Sequence, residues 1–224
     1  MITIRMPNWT NSITLILTCL LLSTRITNGA ISYEIDEDFE KVTCGSALKL
    51  GHSETGYRLH SHEIPYGSGS RQQSVTALSS GDDTNSLWVV KGALGESCPR
   101  GQAVECNSII RLQHMNTKTH LHSHLHDAPM SPYQEISSYH GEDSGDNWRV
   151  VCANDKDGAW IRNHEIHLAH IDTGKYLSTD KRYTYHQHVI YGQLEVHALS
   201  QKSKSTTWKA LEGIYFADRN ADDN

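Results

Sequence analysis

Histidine is the residue in this chain best placed to do chemistry: there are fifteen in 224 residues, and His120, His122, His124 and His126 alternate with other residues. Every second side chain of an extended strand shares a face, so this spacing sets imidazoles about 6 to 7 Å apart along one edge. Such a row has the donor atoms to bridge Zn or Cu, with His114 or Asp127 completing the set. Against metal stands a second run, His60-Ser61-His62, spelled like His122-Ser123-His124. That recurrence favours a strand-and-turn pattern whose rings hydrogen-bond the adjacent backbone, and no metal or cofactor is expected. The histidine excess still implies a net charge that changes more than usual between about pH 5 and 7.

Nucleophilic and acid–base machinery is missing from the sequence. The spellings GxSxG, HExxH, GxxxxGK[ST] and GxGxxG do not occur, and Gly67-Ser68-Gly69 lacks the strand-to-helix setting of a nucleophile elbow. Glu142-Asp143 reads as solvated loop charge, so the protein is expected not to be an enzyme. With 20 Lys+Arg against 26 Asp+Glu and no dense basic block, nucleic-acid binding is not expected. A composition of 37% apolar and 8% aromatic residues is that of a folded globule.

Five cysteines are present. Cys19 lies in a leader-like stretch: Arg5, then the apolar run from Ile13 to Leu22, then polar residues to Gly29 and Ala30. Ten apolar residues are too few for a membrane anchor, which needs about 20, so residues 1–29 are expected to be a cleaved secretory signal and no membrane insertion is expected. Losing Arg5 and Arg25 takes the charge from −6 to −8. The remaining Cys44, Cys98, Cys106 and Cys152 suit two disulfides, and without a CxxC spacing they suggest neither a redox dithiol nor a zinc site.

The elements that would hold these residues recur three times. Leu48-Lys49-Leu50-Gly51-His52 with Thr55 to His62, Ile110-Arg111-Leu112-Gln113-His114 with Thr117 to His124, and Ile166-His167-Leu168-Ala169-His170 with Thr173 to Thr179 open three segments alike. Val75, Ile136 and Val196 follow within them, and Trp88, Trp148 and Trp208 close them at intervals of sixty. Strand-like alternation with Gly- and Asp-containing turns, and no long helical period, predicts an all-β chain. Three units that cannot bury an apolar face alone close most economically as a β-trefoil with threefold pseudosymmetry, which also removes exposed sheet edges. Leu50, Leu112 and Leu168 should form one core layer, Leu59, Leu121 and Leu177 another, and Trp88, Trp148 and Trp208 a plug, each buried Leu contributing about 1.5 to 3 kcal/mol.

Cys44 and Cys106 each lie six residues before an equivalent leucine, and Cys98 and Cys152 follow the closing Trp of the same repeats. This favours Cys44 with Cys98 and Cys106 with Cys152, while the hairpin pairing of Cys98 with Cys106 stays open.

Val42-Thr43-Cys44-Gly45-Ser46, Arg58-Leu59-His60-Ser61-His62, Tyr66-Gly67-Ser68-Gly69-Ser70, Gln72-Gln73-Ser74-Val75-Thr76, Leu121-His122-Ser123-His124 and Trp208-Lys209-Ala210-Leu211-Glu212-Gly213-Ile214 together resemble the stromal cell-derived factor 2 family, an array of three MIR motifs. The resemblance implies a trefoil over 41–216 (repeats about 41–97, 98–157 and 158–216), after a short segment 30–40 and before a polar tail 217–224. It also implies a non-catalytic protein of the endoplasmic reticulum lumen that associates with a luminal J-domain co-chaperone, with BiP and with unfolded client polypeptides. It would act in folding quality control and the unfolded-protein response. The animal proteins end in an HDEL-type tetrapeptide and this sequence ends Asn220-Ala221-Asp222-Asp223-Asn224, so retention through a partner, or partial secretion, is expected. An adaptor needs an exposed apolar patch. His60, His62, Tyr66, Gln73, His122, His124 and Gln134, on the His-Ser-His edges and around the Gly-rich loop, are the candidate binding residues. A glycan-binding trefoil is the alternative: the QxW lectin signature is absent, but Tyr57, Tyr66, Tyr133, Tyr176 and Tyr183 could stack on a sugar.

Overall fold

The computed structural model describes residues 34–154, 156–186 and 189–219. The signal segment expected at 1–29 and the end of the tail beyond 219 lie outside the described residues.

Among the described residues, twelve antiparallel strands follow one another in three groups of four. The first repeat holds β1 (Ala47–His52), β2 (Arg58–Pro65), β3 (Gln73–Leu78) and β4 (Trp88–Gly92). The second holds β5 (Ile109–His114), β6 (His120–Asp127), β7 (Gln134–Tyr139) and β8 (Trp148–Cys152). The third holds β9 (Ile166–His170), β10 (Tyr176–Thr184), β11 (Leu194–Leu199) and β12 (Trp208–Ile214). The first and last strands of the repeats pair in the order β1, β4, β5, β8, β9, β12 and back to β1, which closes a six-stranded barrel. The middle strands form the hairpins β2–β3, β6–β7 and β10–β11, and their second strands pair in a triangle, β3 with β7, β7 with β11 and β11 with β3. A closed barrel capped by three hairpins is a β-trefoil.

Leu50, Leu112, Leu168, Leu59, Leu121 and Leu177 are all fully buried in one core cluster. Trp88, Trp148 and Trp208 are buried too, and each does more than fill space. Their indole N–H groups donate to the carbonyls of Leu59, Leu121 and Leu177 at 3.0, 2.9 and 2.9 Å, tying each closing strand to the hairpin of its own repeat. A second plug lies where the opening strands begin: Val42 N–H donates to Trp160 O, Val104 N–H to Val42 O and Trp160 N–H to Val104 O, at 2.8 to 2.9 Å. This ring of three amide bonds satisfies backbone that would otherwise be buried without partners. Disulfides join Cys44 to Cys98 and Cys106 to Cys152. Of the expected tail, residues 217–219 return to the barrel: Lys41 Nζ meets the Asp218 carboxylate at 2.7 Å and Arg219 N–H donates to Gly101 O at 2.9 Å.

Candidate functional site

All three hairpins lose register at one place, between Ser61 and Pro65, Ser123 and Asp127, and Thr179 and Thr184. Residues before each break stay in the ladder and are buried; those within it leave the ladder and reach solvent. That break decides the fate of the predicted binding residues.

His60, before it, is buried and shares a 3.2 Å hydrogen bond with Thr76 Oγ1, and burial lowers its pKa to about 4. His62, at the break, is half-buried and sits edge-on to His60. Tyr66 is buried on the hairpin cap, its hydroxyl donating to the carbonyls of Val75 (2.8 Å) and Ile136 (2.9 Å). Gln73 Nε2 donates to Ser61 Oγ of its own repeat and Thr117 Oγ1 of the next, and Gln134 Nε2 donates likewise to Ser123 Oγ and Thr173 Oγ1. Tyr66, Gln73 and Gln134 therefore stitch neighbouring repeats together through the tyrosine hydroxyl and the two Nε2 groups, while Gln134 Oε1 is buried without a partner. The Gly-rich loop after Tyr66 exposes no large apolar side chain and is held from behind: Glu135 accepts from Ser70 N–H and Ser70 Oγ. Gly69, at φ +62°, is needed here because a Cβ would collide with the Glu135 carboxylate.

Of the His-Ser-His rings, His62 meets the adjacent backbone as expected, its Nδ1 accepting from Ile64 N–H at 3.4 Å, while His60, His122 and His124 face side chains. In the second repeat, His122 is fully buried and its Nδ1 lies 2.8 Å from Asp146 Oδ1, while His124 Nε2 lies 3.7 Å from Asp143 Oδ2. The short turn Ser144–Asp146 delivers both carboxylates. Asp143 Oδ1 accepts from Gly145 N–H (2.8 Å) and Asp146 Oδ2 accepts from Asp143 N–H (3.2 Å), a reciprocal cap. His120, nearby, is buried, and desolvation lowers its pKa.

Three further histidines carry a regularity that was present in the sequence as His-x-x-Thr. The Nε2–H of His52, His114 and His170 donates to the carbonyls of Ser205, Asn85 and Gly145, while Nδ1 meets the hydroxyls of Thr55, Thr117 and Thr173, all at 2.8 to 3.0 Å. Each ring packs on a closing tryptophan at about 5 Å. Burial lowers all three pKa values.

The most exposed large apolar side chains lie on the second and third hairpins, while Ile214 of β12, Leu94 and Ile109 are exposed on the barrel side. Leu125, inside the register break, is 85% exposed, and Val189 and Tyr191 are 70% and 72% exposed. Glu195 of β11 accepts from the amides of Met130 and Ser131, fixing the second tip against the third hairpin, and Tyr133, Tyr183 and His197 form an aromatic cluster across the same seam. Between the first and second hairpins lies an open groove of about 430 Å³ whose lining includes Glu63, Arg71, Gln72, Tyr139 and His140.

A "Stromal cell-derived factor 2-like protein" from Dictyostelium discoideum is 44% identical over 190 residues, 82% of this chain and 88% of the relative. The chain belongs to the stromal cell-derived factor 2 family. "Stromal cell-derived factor 2" from Homo sapiens is 43% identical over 178 residues, 78% of this chain and 82% of the relative. The crystal structure of the SDF2-like protein from Arabidopsis thaliana superposes with a TM-score of 0.77 at 41% identity, covering 80% of this chain and 99% of that one. The MIR domain model matches residues 64–156, from the end of β2 through the second repeat. The family's relatives are named as factors rather than enzymes. Two disulfides are consistent with a protein of the secretory pathway. No helix among the described residues is long and apolar enough to cross a membrane.

Proposed function

We propose that this stromal cell-derived factor 2 family member is a non-catalytic adaptor of the endoplasmic reticulum lumen. It associates with a luminal J-domain co-chaperone and, through it, with BiP, and engages unfolded client polypeptides during quality control and the unfolded-protein response. The observation that carries this reading is the exposure of Leu125, Met130, Val189 and Tyr191 on the second and third hairpins, which Glu195 and the Tyr133–Tyr183 contact hold together. Unfolded chains are recognised by apolar contact, and a rigid barrel presents such contacts without an ordering cost of its own. The test is a crosslinked pull-down of tagged protein from cells, with mass spectrometry and a parallel assay of the medium. Wild type should recover a J-domain protein and BiP, and Leu125→Asp with Val189→Asp should lose clients while melting as wild type does. Abundant secretion without chaperone partners would refute the adaptor. The groove beside Tyr139 and Arg71 favours one other reading, a secreted glycan-binding module. Glycan-array binding abolished by Tyr139→Ala would support it.

A further inference from the structure

We propose that His122, His124 and Asp143 form a binding site for a divalent ion of the zinc class, with Asp146 as the buried carboxylate that orients the His122 ring.

One ligand atom from each of His122, His124 and Asp143 lies within 4.8 Å of the other two. Asp143 Oδ2 lies 3.7 Å from His124 Nε2, and Asp143 Oδ1 lies 3.6 Å from the Nδ1 edge of the His122 ring, the edge that Asp146 holds. Ligand atoms on a tetrahedral zinc with bonds of 2.0 to 2.1 Å stand about 3.3 to 3.4 Å apart, so the His124–Asp143 pair is already close to ligand spacing and the buried Nε2 of His122 is the third donor. Two imidazoles and a carboxylate suit zinc-class ions better than Mg²⁺ or Ca²⁺, which prefer all-oxygen shells. His124 and Asp143 are each about two-fifths exposed, which gives an entry path and leaves a position open to water.

His122 supplies the second line of argument. Its side chain is 1% exposed, its Nδ1 faces the fully buried Asp146 at 2.8 Å, and its Nε2 is buried without a hydrogen-bond partner. A ring whose Nδ1–H is held by a carboxylate keeps the lone pair on Nε2, the arrangement of carboxylate–histidine–metal triads. A buried imidazole nitrogen with no partner costs stability unless something binds it. Gly145 makes the approach feasible, because a Cβ there would come within 2.6 Å of His122 Cε1 and 3.0 Å of Asp143 Oδ1.

The protein carries its own control. The first repeat has His60, His62 and Asp83 at the matching positions, but Ser86 stands where the second repeat has Asp146, and His60 faces Asp83 through Nε2 rather than Nδ1. The third repeat has Ser178, Asp180, Ser203 and Thr206 there. Among the described residues only the second repeat assembles the full set.

The experiment is competition of the full-length protein against a chromophoric chelator for Zn²⁺ at neutral pH, followed by Co²⁺ absorption spectra. Wild type should take up one Zn²⁺ per chain, ignore Mg²⁺, and give the visible band of tetrahedral Co²⁺. His124→Gln and Asp143→Asn, at partly exposed positions, should abolish uptake with unchanged melting in the absence of metal, and His62→Gln should bind as wild type does. Asp146→Asn should weaken Zn²⁺ binding roughly 10- to 100-fold. A wild type that takes up no Zn²⁺ at micromolar concentration overturns the proposal, as does a His124→Gln protein that binds with wild-type affinity.

Discussion

A buried imidazole is a choice of one protonation state. His52, His114 and His170 each use Nε2–H to satisfy a carbonyl and Nδ1 to meet a threonine, which only the neutral ring can do when the threonine amide also points at Nδ1, as in the first two. His60 is the extreme case, with burial lowering its pKa from 6.5 to about 4. Since the unfolded chain binds the proton that the folded chain refuses, the stabilisation is complete above about pH 6.5 and is lost as pH falls toward 4. Integrated to pH 5, His60 alone contributes a loss of about 2 kcal/mol. Urea titrations should therefore show stability falling between pH 7 and 5, with a shallower fall in His60→Gln; a flat profile in the wild type would contradict neutral burial. These rings show what was legible at this scale. Residue types in a recurring pattern identified a repeated environment, but could not distinguish a binding edge from an internal stitch. Tyr66, Gln73 and Gln134 are polar in spelling yet buried in place, because their partners come from the neighbouring repeat.

At the scale of elements, the hairpin is held to the barrel by one tryptophan per repeat. Trp148 is fully buried, packs on His170 at 4.9 Å and donates to Leu121 O at 2.9 Å. Trp148→Ala should cost about 3 to 5 kcal/mol through the cavity it leaves. Trp148→Phe keeps much of the volume but orphans the Leu121 carbonyl, and should cost about 1 to 3 kcal/mol. Denaturant titration reads both, and near-wild-type stability of Trp148→Ala would reject the tryptophan as a tie. The sixty-residue spacing of the tryptophans and the leucine pairs made these strands readable. Trp160 was not readable, since it sits between two isolated bridges, at Ala159 and Ile161, too short to alternate, and has valines, Val42 and Val104, as its counterparts. Leu125 was also hidden: the alternation of its strand ends at a register break that sequence periodicity does not record.

The whole molecule must bring β12 back to β1 across nearly the full length of the folded chain, and its three repeats are secured unequally. The first two carry disulfides spanning 54 and 46 residues. The third has Arg162 at the position of Cys44 and Cys106, stacked 3.8 Å over Tyr215 and donating to Phe39 O at 3.2 Å. Cross-linking loops of these lengths removes about 4 kcal/mol each of chain entropy from the unfolded state. Since a domain has only about 5 to 15 kcal/mol in total, the two bridges amount to a large share of the margin. Losing one bridge through Cys106→Ala with Cys152→Ala should cost about 2 to 5 kcal/mol, while the hydrogen-bonded barrel keeps the same far-ultraviolet circular dichroism. Reducing both should bring the thermal midpoint down further, and more steeply than Arg162→Ala, whose cation–π contact is worth about 0.5 to 2 kcal/mol. The cause is what the chain can do when unfolded: a stacked arginine lets go on unfolding and a disulfide does not. Equal loss from Arg162→Ala and from the double cysteine variant would place the closure energy in the native contacts instead.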